Sequence, residues 1–352
     1  MAVAIATGYA REDPFRIGGT NATTIHLNVC SLEDRPQYFN TMAAIIIFLL
    51  SSVSMAGNGL VLLSFATCYQ LRIQKGSFFV MNLAASDFLC SVYVMLPCIL
   101  CLIENSLCMK GVTCRIHAII NSTLFTCSNM SLAAINIDRA IAINRPFEYR
   151  NLVTSFRVKI AIAYIWFHCL FLASVAGFYE YASFVDWELM CSPTWSRTTS
   201  AYAITAATLC VFLPSFLLLA SNISIVYAIR KSRIVVFQNR TMVGGNGHQL
   251  GIKSNTKTLR SLYFLVLVYF ICVPCYYITK IGSAIKEKNV IPDGLCFVPI
   301  GLLFTATAIN PFIYALLRKD HRKAFLCTIQ MVLGKIKAVY TFLFGNTVKE
   351  MQ

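Results

Sequence analysis

Long stretches without charge alternate with short charged clusters along this chain. Pro36 to Leu71, Ile116 to Ile137, Ile160 to Tyr179, Thr198 to Ile229, Ser261 to Thr279 and Gly294 to Leu317 contain no Asp, Glu, Lys or Arg. Phe78 to Ile103 contains one, Asp87. A helix needs about 20 apolar residues to cross a bilayer, and each stretch reaches that length or nearly so. Buried helices of soluble proteins are shorter and keep one polar face. Strands of a membrane barrel alternate polar with apolar residues, and none of these stretches does. The pattern predicts an all-α protein, a bundle of seven transmembrane helices.

Composition agrees. The 352 residues are 57% hydrophobic and 13% charged, against about 25% charged in a soluble domain. So few charges cannot cover a soluble surface, although the length alone suits two or three soluble domains. The net charge of +15 is compatible at first with nucleic-acid binding or with an asymmetric membrane protein. Its placement decides. With the N-terminus outside, the inner segments carry 21 bases and four acids, and the outer segments nine bases and 10 acids. That is the positive-inside distribution of a multi-pass membrane protein with its N-terminus outside. The basic excess then serves topology and attraction to membrane lipid, and no nucleic acid is expected. Met1 to Ala10 lack a basic start and a long apolar run, so no cleaved signal peptide is expected. Asn21-Ala22-Thr23 is a glycosylation acceptor on the outer segment. The same pattern at Asn121 and Asn222 falls inside spans.

Outside the spans, Val243 to Gly251 carries four glycines and reads as a mobile cytoplasmic loop. After Leu317, charges on one side and Ala324, Phe325 and Leu326 on the other predict a short amphipathic cytoplasmic helix on the inner membrane face. Lys335 and Lys337 argue against an eighth span in Thr328 to Gly345. Cys327 is a candidate for palmitoylation.

Polar residues within spans carry the chemistry. Asp87 is the only acid in the spans, and a charge there costs about 2.5–3.5 kcal/mol to insert. Asn58, Ser128, Thr307 and Asn310 are the groups that could converge on it. A carboxylate ringed by hydroxyl and amide oxygens suits a small hard cation such as sodium. Asp138-Arg139 closes the third span at the inner face, where the two can pair. Pro97, Pro214, Pro274 and Pro311 interrupt four spans and suggest hinges. Most of the fifteen cysteines lie within spans and act as small apolar residues. Cys30, Cys108, Cys114, Cys191 and Cys296 lie outside and are candidates for bridges.

Together these residues resemble the rhodopsin-like (class A) G-protein-coupled receptors, from about Ala56 to Cys327. The landmarks are Gly57-Asn58, Asn82-Leu83-Ala84-Ala85-Ser86-Asp87, Cys114, Asp138-Arg139-Ala140 with Pro146, Trp166, Pro214, Pro274 and Asn310-Pro311-Phe312-Ile313-Tyr314. Each alone is weak; their order and spacing make the set specific. The resemblance implies an extracellular segment 1–38, a seven-transmembrane receptor domain 39–317 and a cytoplasmic tail 318–352. It implies a Cys114–Cys191 disulfide and a sodium site at Asp87, Ser128 and Asn310. It implies an activation switch of Asp138, Arg139, Asn310, Pro311 and Tyr314, coupled to a heterotrimeric G protein. Four positions depart from the family pattern: Ala140, Cys272, Val268 and Asn222 stand where aromatic residues are usual.

Positions matched to the family put a ligand pocket at Asn121, Ser122, Phe125, Tyr276, Thr279 and Phe304. Amine receptors of the family carry an acid where this chain has Asn121, so the expected ligand is a small molecule or peptide and not a bioamine. Cys191-Ser192-Pro193-Thr194-Trp195 and Asn144-Arg145-Pro146 resemble opsins and melatonin-type receptors. Opsins need a lysine where this chain has Phe304, so no covalent retinal is expected, and no cofactor is required. A transporter or channel is the rival reading, but there is no internal repeat. Nor do paired aspartates, a His-Glu-x-x-His or a Ser/His/Asp set mark an enzyme.

Overall fold

The structure is a computed structural model that describes residues 36–104, 107–179, 181–196, 198–243, 249–286, 295, 297–317 and 321–335; side chains are described except at 232–263, 265, 286 and 314–317. Asn21, Cys30 and Cys296 lie outside the described residues, as does the side chain of Tyr314.

Among the described residues, seven long helices form the bundle. The first five are Gln37–Thr67, Ser77–Ile103, Gly111–Asn144, Ser155–Phe178 and Ser200–Lys231. The fifth continues to Val243, the sixth is Gln249–Lys286 and the seventh Val298–Leu317. Six are long and apolar enough to cross a membrane, and the seventh holds a shorter apolar run, Val298–Ile313. Ile45, Phe48, Phe167, Phe171, Phe216 and Ile223 all point outward. Asn58, Asn82, Asp87, Asn121, Asn136 and Asp138 point inward and are buried. This polarity, apolar outside and polar inside, suits a chain whose solvent is lipid. The third span is the hub: 72% of its most apolar window is buried, against 28% for the first, fourth, fifth and sixth.

Buried polar links join the spans. Asn82 donates to Ser131 at 2.8 Å and accepts from the Trp166 indole N–H at 2.8 Å, which ties the second, third and fourth spans. Ser91 donates to Ser54 at 2.8 Å and joins the second span to the first. Proline acts differently in different spans. Pro97 and Pro214 each follow a π-helical turn, Ser91–Met95 and Thr208–Phe212. The wider turn accommodates the ring and the missing N–H. Pro274 and Pro311 lie inside continuous helices.

Two features differ from the sequence reading. The seven spans are helical, and in the connection between the fourth and fifth β1 (Ala182–Val185) and β2 (Met190–Pro193) pair antiparallel. The Asp186–Leu189 turn joins them, and Leu189 holds φ 57° while fully buried, a conformation costly for a branched side chain. The predicted loop Val243 to Gly251 is the second difference. Helix reaches Val243 and resumes at Gln249, with only 244–248 left outside the described residues.

Among the described residues, two disulfides secure the hairpin end. Cys114–Cys191 pins β2 to the third span, and Cys101–Cys108 closes the connection between the second and third. Cys101 sits in a span, where cysteine usually only packs, so the sequence hid this bridge. At the other end, helix 321–335 lies against the first span. Ala324 and Phe325 are buried, and the Thr67 and Thr328 hydroxyls meet at 3.1 Å. Leu326, predicted on the same face, points away and is exposed, as is Cys327.

Candidate functional site

Three polar sites are strung along the third span. The first is a cavity of about 580 Å³, counting its open mouth, beneath β2. Asn121, Ser122, Phe125 and Tyr276 line it as predicted. Thr279 and Phe304 do not. The Thr279 hydroxyl turns back to the Cys275 carbonyl at 2.9 Å. Phe304 is fully buried behind the wall, its ring 6.1 Å from that of Phe125. In their place the cavity gains Ser192 and Trp195 from the hairpin segment, Tyr202 and Cys210 from the fifth span, and Tyr277 and Lys280 from the sixth.

Lys280 is the residue that sequence reasoning missed. Its ammonium donates to Glu188 Oε1 at 2.8 Å, to Ser192 Oγ at 2.9 Å and to Tyr276 Oη at 3.3 Å. Tyr276 in turn donates to Glu188 Oε2 at 2.6 Å. Lys280 also lies 5.6 Å from the ring centres of Trp195 and Tyr276, within cation–π range. Glu188 is 1% exposed and Lys280 6%. A charged pair so far from water persists only when its partners are complete, and here both ends are fully bonded. The hairpin tip is thereby tied to the sixth span, with Trp187 packed on Tyr276.

The second site surrounds Asp87, which is fully buried. Ser128 donates to its Oδ1 and Asn310 Nδ2 to its Oδ2, each at 2.7 Å. Asn58 and Thr307, also expected here, turn elsewhere. Asn58 donates to Ser54 and to the Thr307 carbonyl, and the Thr307 hydroxyl bonds the Phe304 carbonyl. Asp87 and Ser128 present oxygens that fit a small cation, whereas Asn310 offers a donor rather than the oxygen a cation needs.

The third site closes the opposite end. Arg139 Nη2 meets Asp138 Oδ2 at 2.9 Å, and the Tyr149 hydroxyl donates to Asp138 Oδ1 at 2.7 Å. Gly76 backs the pair: a Cβ there would lie 2.9 Å from Arg139 Nη2 and closer still to Asp138 Oδ2. Two of the positions that depart from the family pattern, Asn222 and Ala140, make contacts nearby, and so does Tyr269 beside Val268. Asn222 donates to Asn136 Oδ1 at 3.0 Å and bridges the fifth and third spans. Ala140 packs beside Ile225 and Ile229. Tyr269 meets Ser215 at 2.8 Å. The only hydrogen on Ser215 Oγ goes to the Val211 carbonyl, so Tyr269 is the donor and links the sixth span to the fifth.

Comparison with known proteins matches this geometry. Residues 57–314 match the family described as 7 transmembrane receptor (rhodopsin family). Melanopsin-A of Gadus morhua is 26% identical over 309 residues, which cover 85% of this chain and 54% of that protein. The chain thus spans about half the length of that relative. The human 5-hydroxytryptamine receptor 4 is 24% identical over 302 residues, covering 79% of this chain and 77% of that one. The crystal structure of squid rhodopsin superposes with a TM-score of 0.71 at 19% identity, covering 85% of this chain and 87% of the other. The chain belongs to the rhodopsin family of seven-transmembrane receptors.

Proposed function

We propose that this chain is a G-protein-coupled receptor of the plasma membrane, which binds a ligand in the cavity under the hairpin and activates a heterotrimeric G protein at the Arg139 end. The supporting observation is that one helix carries both sites. Asn121 lines the cavity and Arg139 lies 18 residues further along the third span, about 27 Å away at 1.5 Å per residue. Between them Ser128 bonds the buried Asp87.

The mechanism is a shift between two populations. In one, Asp138 and Tyr149 hold the pair closed. In the other, Arg139 is released to the cytoplasmic partner. Ligand and G protein each favour the second state, so each strengthens the binding of the other. The hairpin and N-terminus face outside, which leaves the 21 bases of the inner segments toward the anionic leaflet and the partner. Tyr314 belongs to the same switch. Asp87 and Ser128 would hold a sodium ion, whose charge there would favour the resting state. Cys327, exposed beside Leu326, is where an acyl chain attaches, and Asn21 carries a glycan. Phe304 leaves no amine for retinal in the seventh span.

The test is expression with a panel of G-protein dissociation sensors, read first without ligand and then against a compound library. Arg139→Ala is expected to abolish sensor activation while surface expression persists. Unchanged activation in that variant overturns the proposal.

A further inference from the structure

We propose that the cavity takes an uncharged aromatic molecule bearing an O–H or N–H group, which donates to Asn121. The inference deepens the receptor reading above and rests on it.

Charge comes first. Lys280 is the only charged residue lining the cavity among the described residues. Its three N–H groups already go to Glu188, Ser192 and Tyr276, and Glu188 neutralises it from behind the wall. An ammonium ligand meets a fixed positive charge with no acid to receive it. A carboxylate ligand has to displace Glu188 from Lys280 and leave that acid buried with the Tyr276 hydroxyl but without its counter-ion, which is strongly unfavourable. Both signs of charge are therefore selected against by one pair.

Shape comes second. Phe125, Trp195, Tyr202, Tyr276 and Tyr277 all face the space, and Trp195 and Tyr277 already stack at 6.2 Å. Such a lining favours a flat ring system.

The polar handle is Asn121. Its Nδ2 is used by the Cys191 carbonyl at 3.2 Å and Met190 Sδ at 2.7 Å. Its Oδ1 accepts no hydrogen bond, although the residue is only 3% exposed. A buried acceptor without a donor is costly and rare. Asn121 lines the cavity, and a ligand donor that reaches its Oδ1 supplies what the protein leaves out.

Four matched probes test this: indole, 1-methylindole, tryptamine and indole-3-acetate. Each is added to the purified full-length receptor in detergent micelles, and binding is read by saturation-transfer NMR. Indole is expected to bind best. N-methylation deletes its donor and weakens binding about fivefold, the size of one net hydrogen bond. Asn121→Leu is expected to erase the difference between indole and 1-methylindole. Glu188→Gln leaves Lys280 unopposed and moves the preference to indole-3-acetate. Arg139→Ala leaves the ranking of the four probes unchanged, since a shift between the two states scales all of them alike, so loss of binding preference and loss of signalling are told apart. Three results overturn the proposal: a wild-type preference for tryptamine or indole-3-acetate, equal binding of indole and 1-methylindole, or no probe binding to a receptor that still melts cooperatively.

Discussion

Glu188 and Lys280 are 92 residues apart in the chain and 2.8 Å apart in the structure, joined where the hairpin turn enters the bundle. Removing one partner of a buried pair costs about 3–5 kcal/mol, whereas replacing both with apolar groups is often neutral. Lys280→Met is therefore expected to lower the melting temperature of the purified receptor substantially, because Glu188 is left buried without its counter-ion, keeping only the Tyr276 hydroxyl. The double variant Glu188→Met with Lys280→Met should recover most of that loss. Calorimetry or a thiol-dye melt on all three proteins decides it. Additive losses in the double variant mean that the pair is not coupled.

Gly76 packs against the Asp138–Arg139 pair. A methyl group there collides with Asp138 Oδ2 and Arg139 Nη2. The Asp138 side chain is short and already bonded by Tyr149, so the ion pair must open. Gly76→Ala is expected to raise basal G-protein activation severalfold, read by the dissociation sensor at equal surface expression. Tyr149→Phe removes one bond from the same carboxylate and should raise it less. Basal activity that falls or stays level in Gly76→Ala shows that the pair does not restrain signalling.

The bundle was legible because lipid demands long charge-free runs, and local composition records that demand directly. Asp87 stood out for the same reason, as a lone acid in an apolar stretch, and the structure brings Ser128 and Asn310 onto it. Lys280 was not legible. It follows the charge-free run Ser261 to Thr279 by one residue and so reads as an ordinary boundary cation, while Glu188 reads as an ordinary loop acid. Only the hairpin register and the inward dip of its turn bring them together, and neither has a local sequence signal. Thr279 and Phe304 do not line the cavity in the structure, because matched positions specify helix and height, whereas small rotations decide which side chains reach it. The π-helical turns before Pro97 and Pro214 are local changes of winding of that kind.

Asn222 replaces a bulky aromatic residue with a hydrogen bond. Its amide bonds Asn136 Oδ1 at 3.0 Å, and Asn136 is fully buried. Asn222→Ala leaves that oxygen without a donor, at a cost of about 1–3 kcal/mol. Asn136→Ala should cost a similar amount. If the two side chains act on each other, the double variant is scarcely worse than either single one. Thermal midpoints of the four proteins supply the cycle, and a coupling near zero argues that Asn222 is a surface accident.

Asp87 offers the sharpest ionic test, because its neighbours can adapt to a neutral replacement. In Asp87→Asn, the new carbonyl oxygen can accept from Asn310 while the new amide donates to Ser128, whose hydroxyl can turn. Both contacts made by Asp87 then survive in altered form, and the charge disappears. The wild-type receptor is expected to melt higher, and to show lower basal signalling, in sodium chloride than in potassium chloride at equal ionic strength. The sodium ion fits a small oxygen-lined site and the larger potassium ion does not. Asp87→Asn should melt at the same temperature in both salts. A sodium effect that persists in the variant places the ion elsewhere, and no sodium effect in the wild type removes the cation from Asp87 altogether.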